Sequence, residues 1–449
     1  MPTDHDIIVA PATAPGGAIA VVRISGAGAA TLCDRIFRGR TDLAAAPGYS
    51  VHYGRVVDGD RTVDDVLATL FRAPHSYTGE DSVELSCHGS PYIVSEVLRL
   101  LRAAGARMAE PGEFTIRAYL AGKLDLAQAE AVADLIASSS RAAHALASAQ
   151  LRGGYSAALD GLRDRLLELV ALLELELDFS EEDVEFADRG QLRETMERIR
   201  GEIDRLHDSF RLGNAIKEGV AVALVGAPNV GKSTLLNRLL GEERAMVSEI
   251  AGTTRDVIEE CIDIDGVRFR FLDTAGIRAT DDRLERMGIE RTLAGIERAR
   301  IVVRLVDAAI APIPPIEFAL RADQTLLTVV NKTDITPPAC ALPDGAIGIS
   351  ARRGDGIDRL RSALRAAVDT ESLYHGDPIV SNSRHCAALD DARRALDGAL
   401  AALRDELPAD LLSEELRHTV RSLGAITARG AIAPDEVLQH IFSKFCIGK

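Results

Sequence analysis

The stretch VAVALVGAPNVGKSTLLNRLLG, Val220–Gly241, decides the fold of the middle of the chain. Its first part is a nearly continuous apolar run, the mark of a parallel strand buried on both faces. GAPNVGKS, Gly226–Ser233, follows and matches GxxxxGK[ST]. TLLNRLLG then has the apolar spacing of a helix. Strand, glycine-rich loop and helix in this order form a phosphate cradle. Glycines at Gly226 and Gly231 let backbone amides, including those of Val230 and Thr234, approach phosphate oxygens. Lys232 brings a point charge to the outer phosphates, and Ser233 offers a hydroxyl to Mg2+.

Three further elements follow in the order a GTPase needs. DTAG, Asp273–Gly276, ends an apolar run at Phe269–Leu272. Asp273 can hold the magnesium shell, Thr274 and Ala275 carry the turn, and the Gly276 amide can sense the terminal phosphate. NKTD, Asn331–Asp334, follows another apolar run. The Asp334 carboxylate accepts the N1 and N2 protons of guanine, a donor pair that adenine lacks, so the site selects GTP. Asn331 and Lys332 complete that loop. Ser350, Ala351 and Arg352 follow the next strand as the loop behind the base. Between the phosphate loop and DTAG lies AGTTRD, Ala251–Asp256, where Thr253 or Thr254 can reach the magnesium; Thr254 is preferred. The segment Ser248, Glu249, Ile250, Ala251 and Gly252 is assigned to the same pocket.

One chemical part is missing. Many GTPases place a glutamine after DTAG to orient the attacking water, but here Ile277 stands there. Arg278, Glu285 and Glu290 are the polar groups nearby, and a carboxylate can orient water directly or through a second water. Asn229, inside the phosphate loop, offers a carbonyl to a monovalent cation, which would place positive charge where an arginine finger otherwise acts. Asparagine also tolerates unusual backbone angles, which is the plainer reading.

The rest of the chain frames this domain. At 449 residues it exceeds one ordinary core. Ile7–Ala10, Ala18–Ile24 and Val83–Cys87 read as strands and Pro91–Ala104 as an amphipathic helix. From about Leu124 the pattern is helical: Leu159, Leu162, Leu166, Leu169, Leu173 and Leu177 share a helix face. A second helix is expected near Gln191–Arg211. Strands are expected again at Ile301–Val306, Leu326–Val330 and Ala346–Ile349. After Tyr374 another helix face runs from Leu389 to Leu407, and Asp435–Phe442 makes a last helix. Helical stretches on both sides of an α/β domain predict one helical domain with an insertion; two separate bundles are the alternative.

Composition limits the function classes. Against 68 acidic residues stand 52 Lys and Arg, a formal charge of −16, so nonspecific polyanion binding by the whole surface is not expected. The opening MPTDHDIIVA lacks a charged segment before an apolar run, and no run of about 18 apolar residues exists, so neither a signal peptide nor a membrane span is expected. Six scattered cysteines show no CxxC and no zinc spacing, which fits a reducing cytoplasm. Cys446 lies four residues from the end, but Ile447, Gly448 and Lys449 fit a prenylation box poorly.

With SYTGEDSVEL at Ser76, PGEFTIRAYLAGKLDLAQAEAVADLI at Pro111, the inserted GTPase elements and the terminal FCIGK, the chain resembles the MnmE (TrmE) family of tRNA-modification GTPases over nearly all its length. The resemblance implies an α+β tetrahydrofolate-binding-like domain at 1–121, which also dimerises. It implies an all-α helical domain in two parts, 122–218 and 373–449, and an inserted Ras-like GTPase domain at 219–372. It implies 5-formyl-tetrahydrofolate or a related folate near Arg23, Glu80, Lys123 and Lys449. It implies K+ at Asn229, Ser248, Ile250 and Thr253, and a water-orienting role for Glu285. Cys446 matches a cysteine needed for modification but not for GTP hydrolysis. A homodimer and a FAD-dependent partner, MnmG (GidA), are implied. Together they install aminomethyl-type groups at C5 of the tRNA wobble uridine.

The chain departs from the family at APGGA (Ala14–Ala18), which lacks the usual arginine, at HGS (His88), and at Ser248. Two other classes compete: a ribosome-assembly or translation GTPase, and a non-enzymatic scaffold with a vestigial GTPase domain. Neither accounts for the folate-like segment, FCIGK and the intact nucleotide motifs together.

Overall fold

The computed structural model describes residues 6–14, 16–178, 188–244, 260–272, 293–310, 313–316, 318–335, 342, 344–368, 377–428, 434–443, 445 and 448. Packing divides the chain into two units, Met1–Ala133 with Leu423–Lys449, and Asp134–Ser422. An α+β N-terminal region, a helical region and an α/β phosphate-loop domain are all present, as the sequence predicts.

In chain order the first unit carries β1 (Ile8–Pro11), β2 (Ile19–Ser25), α1 (Ala29–Cys33), β3 (Phe37–Gly39), β4 (Ser50–Asp58), β5 (Arg61–Phe71), β6 (Ser82–His88), α2 (Pro91–Ala103), β7 (Arg107–Met108) and α3 (Glu113–Leu120). The strands form one sheet in the order β3-β4-β5-β6-β2-β1-β7. Only β1 and β7 pair in parallel; the remaining pairs are antiparallel. The long β4–β5 hairpin is not among the strands expected from sequence. Its strands are patterned on one face only: Val66, Ala68 and Leu70 are buried, while Val51, Tyr53 and Leu67 are exposed. Apolar side chains on both faces blur the alternation that marks a half-buried strand. Helix α2 lays Val97 and Leu101 on Val22, Ile24 and Leu85 of the sheet.

The helices continue with α4 (Leu126–Ala137), α5 (Arg141–Leu151), α6 (Gly154–Asp178) and α7 (Arg189–Glu218). Leu159, Leu162, Leu166, Leu169 and Leu173 of α6 are buried, whereas Leu177, at the end of the expected face, is partly exposed. Helix α7 starts at Asp188, whose carboxylate accepts from the amides of Gly190 and Gln191, and stops at Gly219, φ +91°.

The α/β domain has β8 (Val220–Val225), α8 (Lys232–Arg244), β9 (Glu260–Ile264), β10 (Val267–Leu272), β11 (Ile301–Asp307), β12 (Thr325–Asn331), β13 (Ile347–Gly348) and α9 (Ile357–Ala366). Its sheet order is β13-β12-β11-β8-β10-β9, parallel except for the β9–β10 edge hairpin. Asp265 (φ +51°) and Gly266 (φ +79°) make the two-residue turn of that hairpin. Every residue of β8 is buried, as its unbroken apolar run requires.

Helices α10 (Ser383–Arg404), α11 (Ala409–Thr427) and α12 (Asp435–Phe442) close the chain. The expected α10 face overshoots its end. Glu406 takes φ +52°, Pro408 follows, and Leu407 is left exposed. Helices α7 and α10 run antiparallel, with Arg200 pairing Asp397 and Arg393 facing Asp204. At Gly213 a Cβ would stand 2.1 Å from the Val380 carbonyl oxygen, so only glycine lets the chain re-entering after the α/β domain pass that close.

Within the first unit, Leu438, Ile441 and Phe442 of α12 pack with Phe445 on Tyr119 and Leu126. Gly448, φ +101°, sits so close to β1 that a Cβ would lie 2.0 Å from the Pro11 carbonyl oxygen. Among the described residues no helix is long and apolar enough to cross a membrane.

Candidate nucleotide-binding site

The loop from β8 to α8 is shaped by three residues with positive φ: Gly226 (+155°), Asn229 (+59°) and Gly231 (+101°). At Gly226 a Cβ would lie 2.5 Å from the Leu305 carbonyl oxygen, and at Gly231 2.3 Å from Asn331 Nδ2. Both glycines are therefore required by close approach as well as by backbone angle. Helix α8 starts at Lys232, so its first-turn amides have no helical acceptor and point out of the N-terminus beside the exposed Ser233 and Thr234. Lys232 Nζ donates to the carbonyls of Gly226 (2.6 Å) and Ala227 (3.0 Å). Its ammonium lies across the loop, and partial burial lowers its pKa from the usual lysine value.

Asn331 is the hub of the site. It is 3% exposed. Its Nδ2 donates to the Val230 carbonyl at 2.8 Å, and its Oδ1 accepts from the Ala351 amide at 2.9 Å. One buried amide thereby joins the phosphate loop, the NKTD loop and the loop after β13. Lys332, φ +67°, ion-pairs with Asp307 at 2.7 Å. That bond, with the Ala309 amide, holds the Asp307 carboxyl below its ordinary value. Thr333 Oγ1 donates to the Ile349 carbonyl (2.9 Å), and Ser350 Oγ accepts from the Arg353 amide (3.1 Å). The Asp334 carboxylate is 7% exposed, with Arg353 Nε 3.7 Å away. Arg238 of α8 donates to the carbonyls of Ala351 and Arg352. Phosphate loop and base loop are thus one hydrogen-bonded body, and a guanine nucleotide spanning them meets groups already held in place. Sequence reasoning counted Asn331 as a pocket member; its role as the tie emerges only from the fold.

The expected Ser248, Glu249, Ile250, Ala251, Gly252, Thr253, Thr254, Asp273, Thr274, Ala275, Gly276, Glu285, Cys446 and Lys449 lie outside the described residues.

In the first unit Arg23 and Glu84 stand opposite each other on β2 and β6 and pair at 2.8 Å. The Arg23 guanidinium lies 5.5 Å from the Tyr77 ring centroid and 5.7 Å from that of Phe114. Glu80 accepts from Ser25 Oγ (2.8 Å) and from Arg117 (3.1 Å). Lys123 is exposed, and its stem passes Gly79, one residue before Glu80. The centre of this network is Arg117, 7% exposed, which also pairs with Asp6 (2.5 Å) and Glu113 (3.1 Å). Arg117 was not singled out from sequence, because its partners Asp6 and Glu80 are remote in the chain and leave no spacing signal.

Burial raises the Glu113 carboxyl, but hydrogen bonds from Arg107, the Glu110 amide and Arg117 outweigh it and hold the group below its ordinary value. Stability from a depressed carboxyl is complete above its unfolded value of about 4.3 and is lost as pH falls through the folded one. Glu113→Gln, which leaves two guanidinium groups short of a partner, is expected to cost about 3–5 kcal/mol at pH 7. That penalty shrinks as pH drops below about 4. Urea unfolding at pH 7 and pH 3 measures it; a penalty equal at both would refute the ionised pairing.

Comparison with known proteins adds the family. Residues 126–446 match the model of the MnmE helical domain, and residues 7–123 match that of the GTP-binding protein TrmE N-terminus. The tRNA modification GTPase MnmE of Cytophaga hutchinsonii is 48% identical, with 100% of this chain and 99% of that protein covered. Its counterpart from Porphyromonas gingivalis is 47% identical, covering 99% and 98%. Among solved structures, Aquifex aeolicus Era bound to GDP and AlF4− is 29% identical, covering 39% of this chain and 65% of that one, with a TM-score of 0.26.

Proposed function

The chain belongs to the MnmE (TrmE) family, and from that premise we propose that it hydrolyses GTP as part of tRNA wobble-uridine modification. The observation that carries the reading is the single body formed by the phosphate loop and the guanine loop around Asn331, inside a chain that matches the family from end to end.

Each residue has a task. The α8 amides and Lys232 bind the phosphates, and the Asp334 carboxylate accepts the guanine N1 and N2 protons. Ser233, Thr254 and Asp273 would hold Mg2+; the Ser233 hydroxyl at the helix start fits an oxygen-ligated ion. Asn229, in the same loop, would hold K+ together with Ser248, Ile250 and Thr253. Bound Mg2+ and K+ supply positive charge where negative charge develops on the phosphate oxygens. Glu285 orients the attacking water in place of the missing glutamine, and the Gly276 amide reports the terminal phosphate. Hydrolysis then drives a conformational cycle.

In the first unit Arg23, Glu80 and Lys123 would bind a formyl-tetrahydrofolate with Lys449. The part-exposed Glu80 carboxylate, held by Arg117, and the Arg23 guanidinium, paired with Glu84 and lying against the Tyr77 and Phe114 rings, suit the polar edges of a pterin, and the buried Arg117 Nε has no partner of its own. Phe445 and Gly448, on either side of Cys446, pack in this unit, which supports a role for Cys446 near the folate. The chain would act as a homodimer with the FAD-dependent MnmG on tRNA, the products being carboxymethylaminomethyl-type substituents.

Nucleoside mass spectrometry of tRNA from cells lacking the chain tests the pathway. Loss of the C5 substituent is expected, with rescue by wild type and not by Cys446→Ser. No change in the null would favour the ribosome-assembly reading. GTP turnover at matched ionic strength should be several-fold faster in K+ than in Na+; equal rates would remove the cation from the mechanism.

A further inference from the structure

The sequence shows no zinc spacing, yet the fold brings together three residues that can ligate one. Helix α10 carries Cys386 and Asp390 one turn apart, so both side chains lie on the same face. Helix α7 runs antiparallel beside it and carries His207. The ligand atoms of His207, Cys386 and Asp390 all lie within 4.8 Å of one another. His207 Nε2 is 3.3 Å from Asp390 Oδ1, already near the spacing of about 3.5 Å that two ligands of one tetrahedral ion require. Its other nitrogen, Nδ1, faces Asp208 Oδ1 at 3.3 Å. With the ring proton on Nδ1, facing that carboxylate, Nε2 is left to ligate.

We propose that His207, Cys386 and Asp390 form a binding site for a zinc-class transition-metal ion, with water as the fourth ligand. The donor set of imidazole, thiolate and carboxylate selects zinc over Mg2+ or K+, which prefer oxygen ligands alone. All three residues are half-buried, so water reaches the remaining position. Binding moves the Cys386 thiol proton to solvent and puts the sulfur on the metal. Arg393 stands 3.0 Å from Asp390 Oδ1, and its charge opposes the ion. It also lies 4.0 Å from Asp204, a second carboxylate that can take it up. The ion would clip α7, which leads into the GTPase insertion, to α10, which follows it. Its ligands are none of the nucleotide residues, so GTP turnover survives their loss.

The test is Co2+ titration of the full-length chain, stripped with chelator and then saturated with Mg2+ and GDP. Thiolate-to-cobalt charge-transfer absorption is expected, absent in Cys386→Ser and shifted to at least tenfold higher Co2+ in His207→Gln. Zn2+ should also raise the Tm of wild type and leave that of Cys386→Ser unchanged. The proposal fails if the band survives Cys386→Ser, if His207→Gln leaves it unmoved, or if millimolar Co2+ produces none.

Discussion

Asp334→Asn is expected to weaken GTP binding by at least about 100-fold. A hydrogen bond to a charged group is worth about 1.5–3 kcal/mol, and in the proposed site guanine would make two of them to this carboxylate through N1 and N2. Both would be lost, and the new amide turns N–H groups toward N–H groups. The carboxylate is 7% exposed, so solvent compensates little. The same substitution should improve binding of xanthosine triphosphate, whose C2 carbonyl accepts from an amide. Equilibrium titration with both nucleotides measures the exchange. A variant that still prefers GTP by its original margin would mean that Asp334 does not read the base.

Lys232→Ala should lower GTP turnover at saturating nucleotide by about 10²–10³-fold, the cost of removing one preorganised donor from a site where negative charge develops. The ammonium is already seated over the loop through the Gly226 and Ala227 carbonyls. Little reorganisation is therefore needed to bring it onto phosphate oxygens. Single-turnover hydrolysis separates the effect from loss of affinity, and unchanged circular dichroism excludes unfolding. A rate within tenfold of wild type would assign the charge stabilisation elsewhere.

Some of this molecule could be read directly. The unbroken apolar run of β8 means burial on both faces, and the glycines after it mean a loop that comes close to another backbone. The α6 leucines declared their helix through a spacing of three and four residues. Element ends were less legible. The α10 face was expected to reach Leu407, because apolar spacing carries no information about the left-handed residue and proline that stop the helix at Arg404. The β4–β5 hairpin was missed because apolar side chains on its outer face hid the alternation.

What the sequence determined by itself is what sits in short contiguous segments: the phosphate-loop and NKTD motifs, the helix and strand periods, and the family. Covalent neighbours fix those distances, so residue order is enough. The tertiary structure alone decided the rest. Asn331 ties three loops, Arg117 meets Asp6 and Glu80, and His207 comes to face the Cys386 and Asp390 pair. These partners are far apart along the chain, and they meet because burial of apolar surface packs their strands and helices together. Their own sequence spacing carries no trace of that packing.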